Sequence, residues 1–168
     1  MACTLTLSRT LPCLDNVGGV KEVKFHQLPT SFTNYTLTSG VVTITGDDLN
    51  NWFPYGLELE TASATETGTQ SRANGTNFGD QQLTIILNGM TAAQQNEIKS
   101  MLGSRVQVAV WLMNGTYILL GYKNGLTITT SVATTGVAMG DRNGYTITFV
   151  GKEADLAPFM SQATYDTL

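Results

Sequence analysis

The sequence predicts a mainly β protein, an antiparallel β-sandwich or barrel with one flanking α-helix over about 91–102 and extended arms. Three observations predict it. Asn-Gly recurs at Asn114-Gly115, Asn124-Gly125 and Asn143-Gly144 between β-branched and aromatic residues, the strongest short-range hairpin signal. Alternating polar and apolar segments recur along the chain. One capping sequence, Thr91-Ala92-Ala93-Gln94, precedes a single helical stripe.

Thr4-Leu5-Thr6-Leu7 alternates, Pro12 to Gly19 interrupts, and Val20 to Phe25 resumes with Val23 and Phe25 on one side, so two short strands flank a turn. Pro29 to Asn34 reads as loop and Tyr35 to Leu37 as extended chain. Val41-Val42-Thr43-Ile44-Thr45 is a β-branched run ended by Gly46-Asp47-Asp48. Tyr55 to Glu60 alternates again, with Leu57 and Leu59 inward and Glu58 and Glu60 outward. From 61 to 80 large apolar side chains almost vanish, and a connection of that length is usually functional or mobile. Asn74-Gly75 near its far end allows an extended two-stranded arm; the alternative is a mobile surface loop.

Leu83 to Leu87 is apolar except at Thr84 and reads as a strand covered on both faces. The helix then places Ile98, Met101 and Leu102 on one stripe and stops at Gly103. A two-residue turn at Asn114-Gly115 sets Leu112 opposite Tyr117, Val110 opposite Leu119 and Val108 opposite Gly121. The same rule at Asn124-Gly125 sets Leu126 and Ile128 across from Lys123 and Gly121. The other face then carries Gln107, Ala109 and Trp111, next Ile118, Leu120 and Tyr122, next Thr127, Thr129 and Ser131, with the helix expected over its Trp111 end. Tyr145 to Val150 is the last strand, with Tyr145, Ile147 and Phe149 inward and Thr146 and Thr148 outward. This organises residues 1–151 as one β-rich domain. Residues 152–168, with Leu156, Phe159 and Met160 but no periodicity, form a C-terminal arm on this or another copy, or a frayed end.

A chain of 168 residues supports one hydrophobic core without staples. Charged residues make up 13%. That is about half the usual share of roughly 25%. Because interface cores are depleted of charge, the sparse charge points to a surface covered by partners. A net charge of -4 with scattered basic residues argues against a protein that grips nucleic acid. No run is long and apolar enough for a membrane-spanning helix. The first residues alternate Thr with Leu where a secretion signal would run apolar, so the chain is expected to stay where it is made.

Catalytic chemistry is not expected. His26, the sole histidine, lies in a strand without a flanking motif and reads as a strand surface residue; Asp47-Asp48 sits in a turn and Glu58/Glu60 reads as solubilising charge. Cys3 and Cys13 have neither the spacing nor the further ligands of a zinc site and read as reduced, partly buried thiols. No cofactor or metal is expected. Gly136-Val137-Ala138-Met139-Gly140 lacks the Lys-Ser/Thr pair of a phosphate loop and reads as turn chemistry. The Asn34, Asn74 and Asn114 sequons read as chance in a chain rich in Asn and Thr.

Leu119-Leu120-Gly121-Tyr122 running into Asn124-Gly125-Leu126, and Gly140-Asp141-Arg142-Asn143-Gly144-Tyr145-Thr146-Ile147-Thr148-Phe149, carry a resemblance, with Cys13 through Gly18-Gly19-Val20 as an N-terminal counterpart. On these residues the chain resembles the tail-tube-like virion structural proteins of tailed bacteriophages, particularly tail-hub and neck-tail ring components of Bacteroides-type phages. The resemblance implies subunits packed side by side in a ring, six-fold by preference and twelve-fold as the alternative, with arms reaching other tail, neck or portal proteins. DNA would pass through the channel on ejection without sequence-specific binding, and the protein would be made in the bacterial host cytoplasm and end in the virion. On this reading the assembly-interface candidates are Glu66, Arg72, Phe78, Phe159 and Met160, and the candidates for the channel or interface face are Gln107, Thr127, Thr129, Thr146 and Thr148. The competing expectation is a secreted carbohydrate- or ligand-binding β-sandwich that uses Trp52, Tyr55 or Trp111 as a stacking platform.

Overall fold

The computed structural model describes residues 8–9 and 16–168. The expected Thr4–Leu7 strand and both cysteines lie outside the described residues. In chain order the elements are β1 (Val20–Gln27), β2 (Tyr35–Thr38), β3 (Val41–Ile44), a 3-10 turn (Gly46–Leu49), β4 (Phe53–Gly56), β5 (Ala62–Ser71), β6 (Thr76–Asn88), α1 (Ala92–Leu102), β7 (Val106–Leu112), β8 (Tyr117–Leu120), β9 (Thr127–Thr134), β10 (Gly144–Glu153), β11 (Phe159–Met160) and α2 (Gln162–Asp166). They form a mainly β sandwich of two sheets. The first has seven strands in the order β2-β3-β11-β8-β7-β1-β4, and the second has four in the order β5-β6-β10-β9.

The core lies between the sheets. Val23, Phe25, Val108, Val110 and Leu120 from the first sheet meet Leu83, Ile85, Ile147 and Phe149 from the second, and Ile98 of α1 joins them. Alternation on β10 is as read from the sequence, with Tyr145, Ile147 and Phe149 buried. A second cluster covers the other face of the first sheet, where Ala109, Tyr117 and Leu119 pack against Val42, Ile44, Trp52 and Tyr165. Strand β7 is therefore buried at five consecutive positions, Val106 through Val110.

The capping box on α1 is present, Gln94 N–H donating to Thr91 Oγ1 at 3.2 Å and Thr91 N–H to Gln94 Oε1 at 3.1 Å. Its stripe is narrower than expected. Ile98 is buried and Met101 packs on the core, while Leu102 is 55% exposed. The element over Trp111 is α2 rather than α1, because Tyr165 packs its ring against Trp111 and Tyr117.

Three hairpin expectations are corrected. At Asn114-Gly115 the observed pairs are Val108↔Leu120, Ala109↔Leu119, Val110↔Ile118 and Trp111↔Tyr117, one residue off the two-residue-turn register. The reason is local: Leu112 N–H donates to Thr116 O and Gly115 N–H to Leu112 O, so the loop has three residues, with Gly115 at φ 81° supplying the left-handed position. A one-residue slip exchanges the faces, which puts Ala109, Trp111, Tyr117 and Leu119 together.

At Asn124-Gly125 there is no hairpin. The chain leaves the first sheet after β8, makes a two-way backbone bridge from Leu126 to Val106, and enters the second sheet as β9. Gln81 and Glu153, both buried, hold this corner: Gly121 N–H donates to Gln81 Oε1 at 2.8 Å, and Lys123 and Asn124 N–H donate to Glu153 Oε1 at 3.0 and 2.7 Å. At Asn143-Gly144 the connection spans residues 135–143, and Gly144 is itself a strand residue opposite Thr134 and Asn88. The run from Tyr55 to Glu60 is also shorter as strand than its alternation implied. The strand stops at Gly56, Glu60 takes φ 62° in a turn, and Leu59 is 73% exposed rather than inward.

The segment 61–80 is the two-stranded antiparallel arm, β5 pairing with β6 from Ala62↔Ile85 to Ser71↔Thr76. Because β10 reaches only as far as Glu153↔Gly79, the part beyond Gly79 is paired with its own hairpin alone. The C-terminal residues dock on their own chain. Strand β11 inserts between β3 and β8, and Lys24 Nζ donates to Tyr165 O at 2.9 Å and to Leu168 O at 3.3 Å.

Candidate functional site

Period-two alternation on the second sheet sends one set of side chains to the core and the other outward. Register places Ser63, Thr65, Thr67 and Thr69 of β5 beside Thr84, Gln82, Asp80 and Phe78 of β6; Thr148, Val150 and Lys152 of β10 follow, then Thr130 and Thr127 of β9. The result is a four-stranded, largely hydroxylated wall that also presents Ile86 and Val132 on either side of Thr146, so the Leu83–Leu87 run is covered on one face rather than on both as expected. Threonine suits it because a β-branched side chain favours the extended backbone while its hydroxyl stays wet. Thr84 Oγ1 and Thr148 Oγ1 lie 3.3 Å apart across strands, and Thr127 and Thr129 hydroxyls donate to Val150 O at 3.3 Å and Thr148 O at 3.2 Å.

Charge is almost cancelled on this wall. Lys152 Nζ lies 3.7 Å from Asp80 Oδ2 in an exposed pair, which contributes little to stability. At the opposite end Arg142 donates to Thr146 Oγ1 at 2.7 Å. Among the described residues the strands that bound the wall, β5 and β9, are the two edges of the sheet. Neither carries Pro or Lys, two of the usual guards of an exposed edge, and β9 carries no charge at all. A bulge at Thr129 leaves Thr130–Thr134 as the regular part of the β9 edge.

The expected site residues divide. Thr127 and Thr129 are exposed and Thr146 and Thr148 half-buried, all on β9 and β10. Gln107 does not belong with them. It is fully buried, accepting from Tyr35 Oη at 2.8 Å and donating to Tyr122 O at 2.8 Å, because its side of β7, shared with Ala109, is covered by the cluster of Tyr35, Val42, Ile44 and Trp52, while β9 lies in the other sheet. Arg72 is exposed in the tip of the arm, and Phe78 is half-buried there beneath Lys152 Nζ, 5.1 Å from its ring centroid. Glu66 turns toward its own tail, accepting from Gln81 Nε2 at 2.9 Å and from Ala157 N–H at 2.6 Å. Phe159 is 53% exposed, but Met160, its neighbour on β11, is buried and cannot contact another copy.

His26 is not a surface residue. It is buried, stacked on Trp52 with ring centroids 4.8 Å apart, and its Nδ1 has no hydrogen-bond partner among the described residues. Burial pushes its pKa below the ordinary 6.5, against the opposing pull of the Asp48 carboxylate and Gln107. The unfolded chain therefore takes up the proton first as pH falls. The neutral imidazole's contribution to stability is complete above about pH 6.5 and declines below it, down to the lower folded-state value. Thermal melts from about pH 7.5 to 5.5 are expected to show a falling midpoint in the parent chain and a flatter profile in His26→Gln; parallel profiles would contradict this.

The three aromatic residues of the alternative reading do not make a platform. Trp52 is buried beneath His26, Tyr55 packs edge-on against Phe25, and Trp111 is stacked on Tyr117 with Lys21 Nζ 3.6 Å over its ring. Asp48 is tied into the fold by Asn34 Nδ2 at 3.0 Å. Among the described residues there is no group of three His, Cys, Asp or Glu side chains placed to hold a metal ion, and no helix is long and apolar enough to cross a membrane.

Compared with protein-family models, curated proteins and solved structures, the chain has no match.

Proposed function

We propose that this chain is a structural virion subunit that forms a ring or tube segment of a bacteriophage tail or neck around the DNA passage. The observation that carries the reading is the parity of the second sheet. Three antiparallel steps separate β5 from β9, so the two free edges run in opposite directions. Copies related by rotation about one axis all point the same way, and β9 of one copy then meets β5 of the next as an antiparallel pair. Such a contact is heterologous and closes when the rotation closes, giving a ring rather than a dimer. Closure also removes both unguarded edges.

Six copies would supply twenty-four strands. At a spacing near 4.8 Å and a tilt of about 40°, that closed sheet has a circumference of about 150 Å and a diameter of about 50 Å, wider than the barrels that already enclose an aqueous channel. With the core side facing the first sheet, the hydroxyl wall lines the bore. A nearly uncharged lining offers phosphate no cluster of Lys and Arg, so DNA moves through without being held. The β5–β6 tip, which extends past β10, is the arm that reaches the adjoining ring or partner protein.

Light scattering on purified protein over a wide concentration range tests the reading. A closed species of fixed copy number supports it, with outward backbone amides of 62–71 and 130–134 becoming protected from hydrogen exchange on assembly. A two-fold dimer, or a monomer at every concentration that also fails to assemble with phage tail or neck proteins, refutes it.

A further inference from the structure

The loop between β9 and β10, residues 135–143, presents two apolar side chains entirely to solvent: Val137 and Met139 are as exposed as in an unfolded chain. This loop is nonetheless held in one shape. The Asp141 carboxylate accepts from Val137 and Ala138 N–H, both at 2.8 Å, and Asp141 N–H donates to Ala138 O at 3.0 Å. Two bare apolar groups on a braced turn have the form of a knob. The same chain carries a socket for it: at the same end of the second sheet but beside the opposite edge lies a groove of about 780 Å³ lined by Phe53, Tyr55, Leu57, Glu58, Leu87 and Glu97. It opens there because β5 begins opposite Ile85 and leaves Ile86–Asn88 of β6 without a strand on that side.

We propose that the 135–143 loop of one copy inserts Val137 and Met139 into this groove of the next copy. The inference rests on the ring reading above and specifies how that ring fixes its register. When β9 pairs antiparallel with the neighbour's β5, the end of β9 at Thr134 runs toward the start of β5 at Ala62, and the loop emerges beside the groove. The Asp141 carboxylate is engaged by the loop's own amides, which leaves Arg142, resting on Thr146 Oγ1 in the single copy, as the loop's cation for a groove that carries Glu58 and Glu97. A knob on one edge and its socket on the other form a contact that propagates around a ring and cannot be satisfied within one copy.

Disulfide trapping tests it. In a chain with Cys3→Ser and Cys13→Ser, Met139→Cys combined with Leu57→Cys is expected to give a covalent ladder up to the full ring on oxidation, whereas each single cysteine gives none beyond a dimer. In the parent background, Val137→Ser with Met139→Ser is expected to melt as the parent does and to raise the concentration for half-assembly about tenfold or more. Arg142→Glu is expected to weaken assembly, and Glu97→Arg added to it to restore part of the loss. Rings that form without the Met139–Leu57 ladder, or that link Met139→Cys equally well to Asn74→Cys at the far end of the sheet, would overturn the knob and socket while leaving the ring intact. A chain that never assembles would overturn both.

Discussion

Gly144→Ala is expected to lower the melting midpoint sharply. Gly144 stands in β10 with a strand on each side, opposite Thr134 and Asn88, and an added Cβ would overlap the Leu87 carbonyl oxygen and crowd the Asn88 Cα at 3.1 Å. These are backbone atoms of the adjoining strand, where β10 pairs with β6 on one side and β9 on the other, so no rotamer change relieves the contact. Overpacking of this kind costs about 3 kcal/mol or more, against a total stability of about 5–15 kcal/mol. Thermal melts followed by circular dichroism would show the loss. Gly140→Ala, where an added Cβ has open space, is the control and is expected to stay within about 0.5 kcal/mol of the parent. An unshifted Gly144→Ala melt would mean that β10 does not lie against β6 as described.

The second large effect is expected at Tyr165, in the last turn of the chain. Its side chain is 2% exposed, packs on Tyr117 at 4.8 Å between ring centroids, and donates from its hydroxyl to Glu22 Oε1 at 3.1 Å. Its carbonyl accepts from Lys24 Nζ, a buried amine whose other acceptor is Leu168 O. Tyr165→Ala removes a buried aromatic ring and loosens the only two acceptors that Lys24 has among the described residues, a loss of about 3–5 kcal/mol. Tyr165→Phe keeps the ring and is expected to lose about 1 kcal/mol. Urea denaturation distinguishes the three chains. Equal midpoints would mean that the tail hangs free of the sandwich.

Local signals in this sequence are faithful where the answer is local. The Thr91–Gln94 capping box, the alternation from Tyr145 to Phe149 and the β-branched run at Val41–Ile44 all correspond to observed elements, because each depends on a few neighbouring residues. The hydroxyl face of β10 is legible for the same reason, whereas on β9 the bulge at Thr129 shifts the alternation, so that Ser131, expected beside Thr127 and Thr129, lies on the core side opposite Ile147 and Thr130 takes the outward place. Asn-Gly was less informative than it looks. The three pairs became a three-residue bulged hairpin, a change of sheet and the end of a longer loop, since the outcome depends on hydrogen bonds from Gln81 and Glu153, and those residues are distant in sequence.

Gln107 shows the reach of distant segments: read as an outward group, it is a fully buried one that ties Tyr35 to Tyr122 O, because Tyr35, Val42, Ile44 and Trp52 cover its side of β7. His26 shows the converse, because a polar residue in a short strand gives no sign that Trp52 will lie over it. Met160 reads from the sequence as part of an arm because its partners, β3 and β8, are over a hundred and about forty residues earlier in the chain. Edge strands β5 and β9 were invisible for a related reason. Strand order depends on which distant segments pair, and only the order 5-6-10-9 shows that the two edges face opposite ways.

The central claim is that copies of this chain join β9 to β5 and close around a bore. Electron microscopy of the assembled protein tests it most directly. End-on views are expected to show a ring with an open centre, each copy contributing four strands to one continuous inner wall whose bore-facing side chains include Thr65, Thr67, Thr146 and Thr148. Rings whose bore is lined by the seven-stranded sheet, or particles in which β5 and β9 face solvent, would contradict it.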